Sequence, residues 1–244
     1  MENIYYSFII TVIAGLSTLI GIIPIFLNIK DYNKLINKAL SFASGVMISI
    51  SIFSLLPESI SLLKLSNSNL IMLKIIIFIL IGFLISIIIN KIFNKIPNKL
   101  YKLGLFNMFA LLLHNIPEGI LTFSSTTMNK SFGTMIALSI ICHNIPEGIS
   151  IAIPIYYSTK SKLKAFLYTL IAGISEPIGG MITYLFLSKY INIFFISNTL
   201  LIIIGIMLYI PIYEMLPTAF KYKNKKITLI YLILGIIFMI IFNN

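Results

Sequence analysis

Eight apolar stretches, each long enough to cross a lipid bilayer, account for most of the chain. They have roughly 17 to 26 residues, close to the ~20 that an α-helix needs to span the hydrocarbon core. Of the 244 residues, 59% are hydrophobic and 10% are charged, a composition that excludes a water-soluble globular protein. We predict an all-α integral membrane protein with a single transmembrane domain over residues 1–244. Its eight helices are expected near 5–27, 38–57, 70–95, 104–125, 131–156, 164–187, 197–219 and 227–243.

The basic residues are all lysines, and the loops share them unequally. Fourteen of the eighteen fall in the first, third, fifth and seventh loops, three fall in the other loops, and Lys74 lies near one end of the third stretch. Because lysine-rich loops stay on the cytoplasmic side, both termini are predicted to lie outside. The net charge of +11 therefore indicates topology, and we do not expect nucleic acid as a partner.

The two halves of the chain resemble each other. Residues 45–59 and 205–219 are identical at six of fifteen positions without a gap, and 14–21 match 172–179 at five of eight. These alignments pair the first stretch with the sixth and the second with the seventh, which run in opposite directions under the lysine topology. The pattern predicts three helices, a central pair and three more, related by a pseudo-twofold axis in the membrane plane, as in many transporters.

The central pair carries a duplicated peptide, His-Asn-Ile-Pro-Glu-Gly-Ile, at 114–120 and 143–149. The histidine and glutamate of each copy are four positions apart, so they share one face of a helix. Ionisable groups at this depth in a membrane are costly and usually mark a functional site. The candidate metal ligands are His114, Asn115, Glu118, His143, Asn144, Glu147 and, in the sixth stretch, Glu176.

Electrostatics indicates what such a site would hold. Three carboxylates close together in a low dielectric must be protonated or must bind cations. Imidazole and carboxylate ligands without thiolate suit Zn²⁺, Fe²⁺ or Mn²⁺ better than Mg²⁺ or Ca²⁺. A proton relay without metal is the alternative interpretation of the same residues.

Four further residues are weaker candidates for the ion pathway. Glu58 and Glu214 lie near opposite ends of the repeat-related second and seventh stretches, so they could attract the cation at the outer mouth and receive it at the inner one. They could equally be ordinary interfacial carboxylates. Ser54 is the repeat counterpart of Glu214, and Met47 is matched by Met207.

These motifs resemble the ZIP family of zinc–iron permeases, in particular its bacterial ZupT-like branch. The resemblance rests on the doubled H-N-I-P-E-G, on S-F-A-S-G-V-M at 41–47, on S-E-P-I-G-G at 175–180 and on E-M-L-P at 214–217. It covers nearly the whole chain. The third loop has no histidine, unlike the long His-rich loop of many relatives, so we expect no regulation by that loop.

The resemblance implies a two-metal centre. His114, Glu118, His143 and Glu147 match one metal position, and Asn115, Asn144, Glu147 and Glu176 match the other. In this pattern Glu118 and Glu147 bridge the two metals. The resemblance also implies import across a bacterial cytoplasmic membrane, a homodimer, and an elevator-like movement of the first, fourth, fifth and sixth helices against the rest.

We therefore predict an importer of divalent transition metal, with zinc, iron, manganese, cobalt and cadmium as possible cargo, rather than an enzyme. An intramembrane metal-dependent hydrolase is the alternative, because His and Glu also build catalytic zinc sites. Against it, the sequence contains no H-E-x-x-H. A proton-coupled carrier of an organic cation is a third interpretation.

Overall fold

A computed structural model describes residues 2–27, 31–66, 69–187, 193–222 and 224–242. These ranges contain helices and no strand. Three helices include a π-helical turn, and α1 continues as a 3₁₀ helix. The bounds are α1 Glu2–Ser17 with Thr18–Phe26; α2 Tyr32–Ile50, Ser51–Leu55 and Leu56–Leu65; α3 Ile71–Phe93; α4 Lys99–Met128; α5 Lys130–Thr159; α6 Lys162–Ile182 with Thr183–Leu187; α7 Ile193–Tyr209, Ile210–Met215 and Leu216–Lys221; and α8 Lys225–Phe242.

The helices have the dimensions of membrane spans. Among the described residues, seven helices are long and apolar enough to cross a membrane. The remaining one, α4, has 30 residues, ample for a crossing at 1.5 Å per residue, and its interior carries the polar residues of the candidate site. The prediction of an all-α integral membrane protein is confirmed. Below, the end of the bundle at which α4 begins is termed the inner end, following the lysine distribution, and the opposite end the outer end.

Several helices begin earlier than the apolar stretches because polar residues cap their first turns. The Asp31 carboxylate accepts a hydrogen bond from the Lys34 N–H, and Asn129 accepts one from the Phe132 N–H. The Asn98 side chain accepts from two N–H groups at the start of α4. Such caps satisfy the free N–H groups of a first turn, so a helix extends beyond its apolar part. Lys30, Lys189 and Lys223, which contribute to the lysine count, and residue 243 of the eighth predicted span lie outside the described residues.

The eight helices pack in two groups. Helices α1, α4, α5 and α6 make their most extensive contacts with one another, whereas α2 packs on α8 and α3 packs on α7. The groups meet mainly where α2 contacts α5 and where α4 contacts α7. The division separates the four helices around the candidate site from the four that flank them.

The inverted repeat is visible in the packing. A Cβ added to Gly45 of α2 would lie 2.1 Å from the carbonyl oxygen of Leu232 in α8, and one added to Gly205 of α7 would lie 2.2 Å from that of Ile79 in α3. Only glycine permits such close approach of two helix backbones. The π-helical turns of α2 and α7, at Ser51–Leu55 and Ile210–Met215, also coincide in the repeat alignment. The contacts of one half are thus repeated in the other.

Candidate metal centre

The two copies of the duplicated peptide meet in the middle of the first group of helices. On α4, His114 and Glu118 are one turn apart, and His143 and Glu147 have the same spacing on the antiparallel α5. All four side chains are buried. The face that carries each pair points at the other helix, so the structure brings together the four residues that the motif singled out.

The ligand atoms of this cluster are close together. The Nε2 atom of His114 lies 3.4 Å from Glu118 Oε2 and 3.3 Å from Glu147 Oε1. The Nε2 atom of His143 lies 3.2 Å from Glu118 Oε1. The carboxylate of Glu118 therefore lies between the two histidines, one from each copy of the motif.

These separations suit a metal ion. With Zn–N and Zn–O bonds near 2.0–2.1 Å, neighbouring ligands of a tetrahedral zinc are about 3.3 Å apart. One ligand atom each from His114, His143 and Glu147 also lies within 4.8 Å of the other two. His114 Nε2 and both carboxylate oxygens of Glu147 are buried without a hydrogen-bond partner among the described residues. Buried polar atoms are otherwise rarely left unpaired, so the arrangement is chemically suited to a cation.

A second set of ligand atoms lies beside the first. Asn144 donates from Nδ2 to Glu176 Oε2 at 2.9 Å, which joins α5 to α6. Within the described part of the chain, each residue of this set has a buried oxygen without a hydrogen-bond partner. These atoms are Asn115 Oδ1, Asn144 Oδ1, Glu176 Oε1 and both carboxylate oxygens of Glu147.

The two asparagines are held in related ways. Asn115 Nδ2 donates to the carbonyl of Ala172 in α6, and Asn144 Nδ2 donates to the carbonyl of Ala14 in α1, both at 2.9 Å. Ala14 and Ala172 are equivalent in the repeat alignment. Because each amide nitrogen is occupied by a neighbouring helix, the amide oxygen is the atom left for a ligand.

Glycines bring the four helices close enough to form the centre. A Cβ at Gly119 would lie 1.8 Å from the carbonyl oxygen of Glu176, and one at Gly148 would lie 1.9 Å from that of Thr18. Thr18 and Glu176 are also equivalent in the repeat alignment. The glycine of each motif copy therefore permits contact between the central pair and α1 or α6, which determines where Glu176 lies.

The centre carries an excess of negative charge. Glu118, Glu147 and Glu176 are buried. In the described part of the chain, Glu118 and Glu147 form ion pairs with histidines alone, and Glu176 forms none. Among the described residues, the ion pair between a lysine and a carboxylate is that of Lys102 with Glu214, which is not part of this centre. Burial of unpaired carboxylates is costly, so the arrangement favours binding of cations.

A vestibule of about 390 Å³ leads to this centre from the outer end. Its deep end is lined by Glu118 and His143, its wall by Ser139 and Ser54, and Glu58 lies near its mouth. Two of the four pathway candidates, Ser54 and Glu58, thus line the same cavity as two site residues. Ser139, one turn from His143 on α5, was missed in the sequence because a lone serine in an apolar helix carries no signal.

The other pathway candidates lie elsewhere. Met47 and its counterpart Met207 are buried in the apolar core, and Met47 does not line the vestibule. Glu214 lies at the inner end, where it pairs with Lys102 of α4. In the sequence Lys102 indicates topology alone, because the fourth apolar stretch begins after it and nothing marks this lysine as part of a helix.

Comparison with known proteins identifies the family. Residues 97–243 match the family model described as ZIP Zinc transporter. Along nearly the full chain, the sequence is 33% identical to a protein of Chlorobium phaeovibrioides and 34% identical to one of Oceanobacillus iheyensis, each covering 98% of this chain and 97% of the relative. A protein of Clostridium perfringens is 33% identical over 98% of this chain and 95% of its own length. All three are named Zinc transporter ZupT.

The chain belongs to the ZIP family. The resemblance drawn from the motifs is thereby confirmed, as is the prediction that the chain is a transporter rather than an enzyme. Membership of the ZIP family also agrees with a multi-pass membrane protein. The hydrolase interpretation is not supported, because the relatives of this ZIP protein are named as transporters.

Proposed function

We propose that this ZIP-family chain imports divalent transition metal, with zinc as the principal cargo, through the buried centre between α4, α5 and α6. The observation that carries the proposal is the set of 3.2–3.4 Å separations between the histidine nitrogens and the glutamate oxygens. The relatives named as zinc transporters support zinc as cargo. Iron, manganese, cobalt and cadmium share the ligand chemistry and are expected to compete.

The centre holds two metals in this proposal. His114, Glu118, His143 and Glu147 bind one, and Asn115, Asn144, Glu147 and Glu176 bind the other, with Glu118 and Glu147 bridging. Charge permits two positions, because one dication leaves the three carboxylates with a single net negative charge and two dications leave a single net positive charge. The unpartnered oxygens of the second set support the same assignment.

The cargo enters from the outer end through the vestibule. Glu58 attracts the cation electrostatically, and Ser54 lines the way inward. This direction requires both termini outside a bacterial cytoplasmic membrane, which the lysine distribution supports. In this proposal the single transmembrane domain functions as a homodimer, and α1, α4, α5 and α6 move against the other helices to expose the centre to the inner side.

Metal binding and flux in proteoliposomes test the proposal. The purified chain, freed of bound metal, should bind two Zn²⁺ per chain and should take up Zn²⁺ with saturation. Exchange of both histidines, His114→Ala with His143→Ala, should abolish high-affinity binding and uptake. Cys142→Ser is the matched control. It removes a thiol, a group with affinity for zinc, from the residue next to His143 but about 100° away around the helix, and it should leave both properties unchanged.

The outcomes separate the alternatives. Saturable zinc uptake that disappears in the double histidine variant supports the proposal. Uptake of an organic cation without metal, or proton flux without zinc binding, would contradict it. One Zn²⁺ per chain with normal uptake would retain the importer and contradict the two-metal centre.

A further inference from the structure

The inner end of the bundle is closed where α4 meets α7. The ring of Phe106 on α4 packs edge-on against Tyr209 on α7, with centroids 6.0 Å apart and planes at 67°. Both rings are buried. The outer vestibule, by contrast, reaches the metal centre. The structure therefore corresponds to a state with an open outer side and a closed inner side.

A polar cluster lies one helical turn nearer the inner surface than this aromatic contact. Lys102 Nζ of α4 lies 3.5 Å from Glu214 Oε1 of α7, and the side chains are only 13% and 15% exposed. Lys102 also donates to Asn94 Oδ1 at 2.7 Å. Asn90 of α3 donates from Nδ2 to Glu214 and, at 2.8 Å, to the Tyr209 hydroxyl. The cluster thus joins α4 to α3 and α7, across the boundary between the two groups of helices.

The repeat explains why this location matters. The register of the duplicated motif aligns Phe106 and Ala110 of α4 with Met135 and Ser139 of α5, both of which line the outer vestibule. The repeat of α2 and α7 aligns Ser54, another vestibule residue, with Glu214. The image of the vestibule under the pseudo-twofold therefore lies at the inner end, between α4 and α7. In this structure the deep part of the image is filled by the buried side chains of Phe106 and Ala110, whereas its inner part, beside Glu214, is an open cavity.

Asn107 adds an independent observation on the same route. It lies two turns inward of His114 on α4 and is fully buried, and its Nδ2 donates to the carbonyl of Ser150 at 2.9 Å. Its Oδ1 has no hydrogen-bond partner among the described residues. This oxygen is an acceptor available to a cation between the metal centre and the inner surface, although Asn37 and Asn198, away from this route, also have an Oδ1 atom without a partner among the described residues.

We propose that Lys102, Glu214 and Asn90 form an inner lock, which holds α4 against α7 and keeps the exit path closed while the centre faces outward. This role of the cluster rests on the proposed transport function. When α4 moves away from α7, the lysine leaves with α4 and Glu214 stays behind, unpaired, beside the opened path. There it would receive the departing dication in place of the ammonium group. Glu214 thus exchanges one cation for another as the inner side opens.

Thiol accessibility measures the lock without transport. In a Cys142→Ser background, Ala110→Cys places a thiol under the lock, and a membrane-impermeant maleimide is applied from the inner side in inside-out vesicles. We expect slow labelling when the lock is intact. The double neutral variant, Lys102→Met with Glu214→Gln, leaves no unpaired charge and should label roughly five- to tenfold faster, as expected for loss of a largely buried ion pair.

Two control experiments separate the effect of the Lys102–Glu214 ion pair from the effect of total charge. Lys99→Met removes a lysine from the same inner cavity that makes no ion pair in the described structure, and it should not change the labelling rate. Lys102→Glu with Glu214→Lys restores the pair in reverse and should label within about twofold of the intact lock. A Ser139→Cys thiol in the outer vestibule should label more slowly from the outer side when the lock is removed.

An unchanged labelling rate at position 110 in the double neutral variant would overturn the proposal. So would equal acceleration by Lys99→Met, since the effect would then follow total charge. The proposed function fails by a different measurement, the loss of zinc binding or uptake in the unmodified chain. The two failures are therefore distinguishable.

Discussion

Replacement of Gly119 by alanine tests whether the contact between α4 and α6 determines the geometry of the metal centre. A Cβ at this position would lie 1.8 Å from the carbonyl oxygen of Glu176, whereas real Cβ atoms essentially never come within 3.0 Å of another heavy atom. The carbonyl oxygen of Glu176 belongs to the backbone, so it cannot move aside by a side-chain rotation. The two helices must separate by the difference between these distances, about 1.2 Å.

That displacement is large for metal coordination. Ligand distances in a metal site hold to within roughly 0.2 Å, so Glu176 would leave coordination range. Overpacking of this kind costs about 1–3 kcal/mol, and the higher helix propensity of alanine returns ~1 kcal/mol. We therefore expect a net destabilisation of up to about 2 kcal/mol. The affinity for the second zinc should fall by roughly 10- to 100-fold.

Zinc titration by calorimetry in detergent, together with thermal unfolding, measures both effects. Gly180→Ala is the matched control. It lies in α6 beside the same interface, but its Cβ would lie 3.3 Å from the Thr11 Cγ2 methyl and 3.4 Å from Phe123 Cβ, so a shift of a few tenths of an ångström accommodates it. Gly180→Ala should bind zinc as the unmodified chain does. If Gly119→Ala binds two zinc ions with normal affinity, the two-metal assignment of Glu176 is refuted.

Three further outcomes are expected. Glu147→Gln keeps the side-chain shape but removes the charge that the two proposed metal positions share. Zinc uptake in proteoliposomes should therefore be lost, and appreciable residual uptake would refute the bridging role. Glu58→Gln should raise the zinc concentration for half-maximal uptake about two- to fivefold at low ionic strength, without changing the maximal rate. The difference from the unmodified chain should disappear at high salt, and a difference that persists there would exclude electrostatic attraction. Asn144→Ala removes the amide that contacts Glu176, so calorimetry should show weaker binding of the second zinc by about tenfold, and an unaltered titration would contradict that contact's role.

The sequence was sufficient for most of the fold and for the main part of the centre. Bilayer thickness restricts helix length, and a buried charge in an apolar helix is rare, so His114 and Glu147 stand out without any structure. The duplicated peptide also predicted that α4 and α5 would present the same face to each other. The structure agrees, because both copies use the four-residue spacing that a helix converts into a common face.

The relations across the inner end could not be predicted from the same pattern. Lys102 belongs to a lysine-rich loop by composition, and Asn90 is one polar residue in an apolar helix, so neither differs from ordinary interfacial residues. Their role depends on which face of α3 and α4 meets α7, and the repeat alignments do not contain that information. The extent of α2 and α4 was also underestimated, since capped polar turns outside the hydrocarbon do not contribute to an apolar count.

The helices of the centre are related by the pseudo-twofold axis, but the candidate ligands on them are not fully symmetric, and the two properties have different consequences. The pseudo-twofold pairs His114 with His143 and Asn115 with Asn144, so it places the centre at one depth and allows equivalent paths to the two sides. The repeat counterpart of Glu176, however, is Thr18, whose hydroxyl donates to the carbonyl of Gly15 at 2.7 Å. The centre therefore has three carboxylates, where perfect symmetry would give four. In the proposed two-metal centre, two dications would leave a single positive charge, and their mutual repulsion would favour the departure of one metal. In the proposed transport cycle, the unequal pair of residues at positions 18 and 176 would thus favour metal release, while the symmetric arrangement of helices would provide a path to each side.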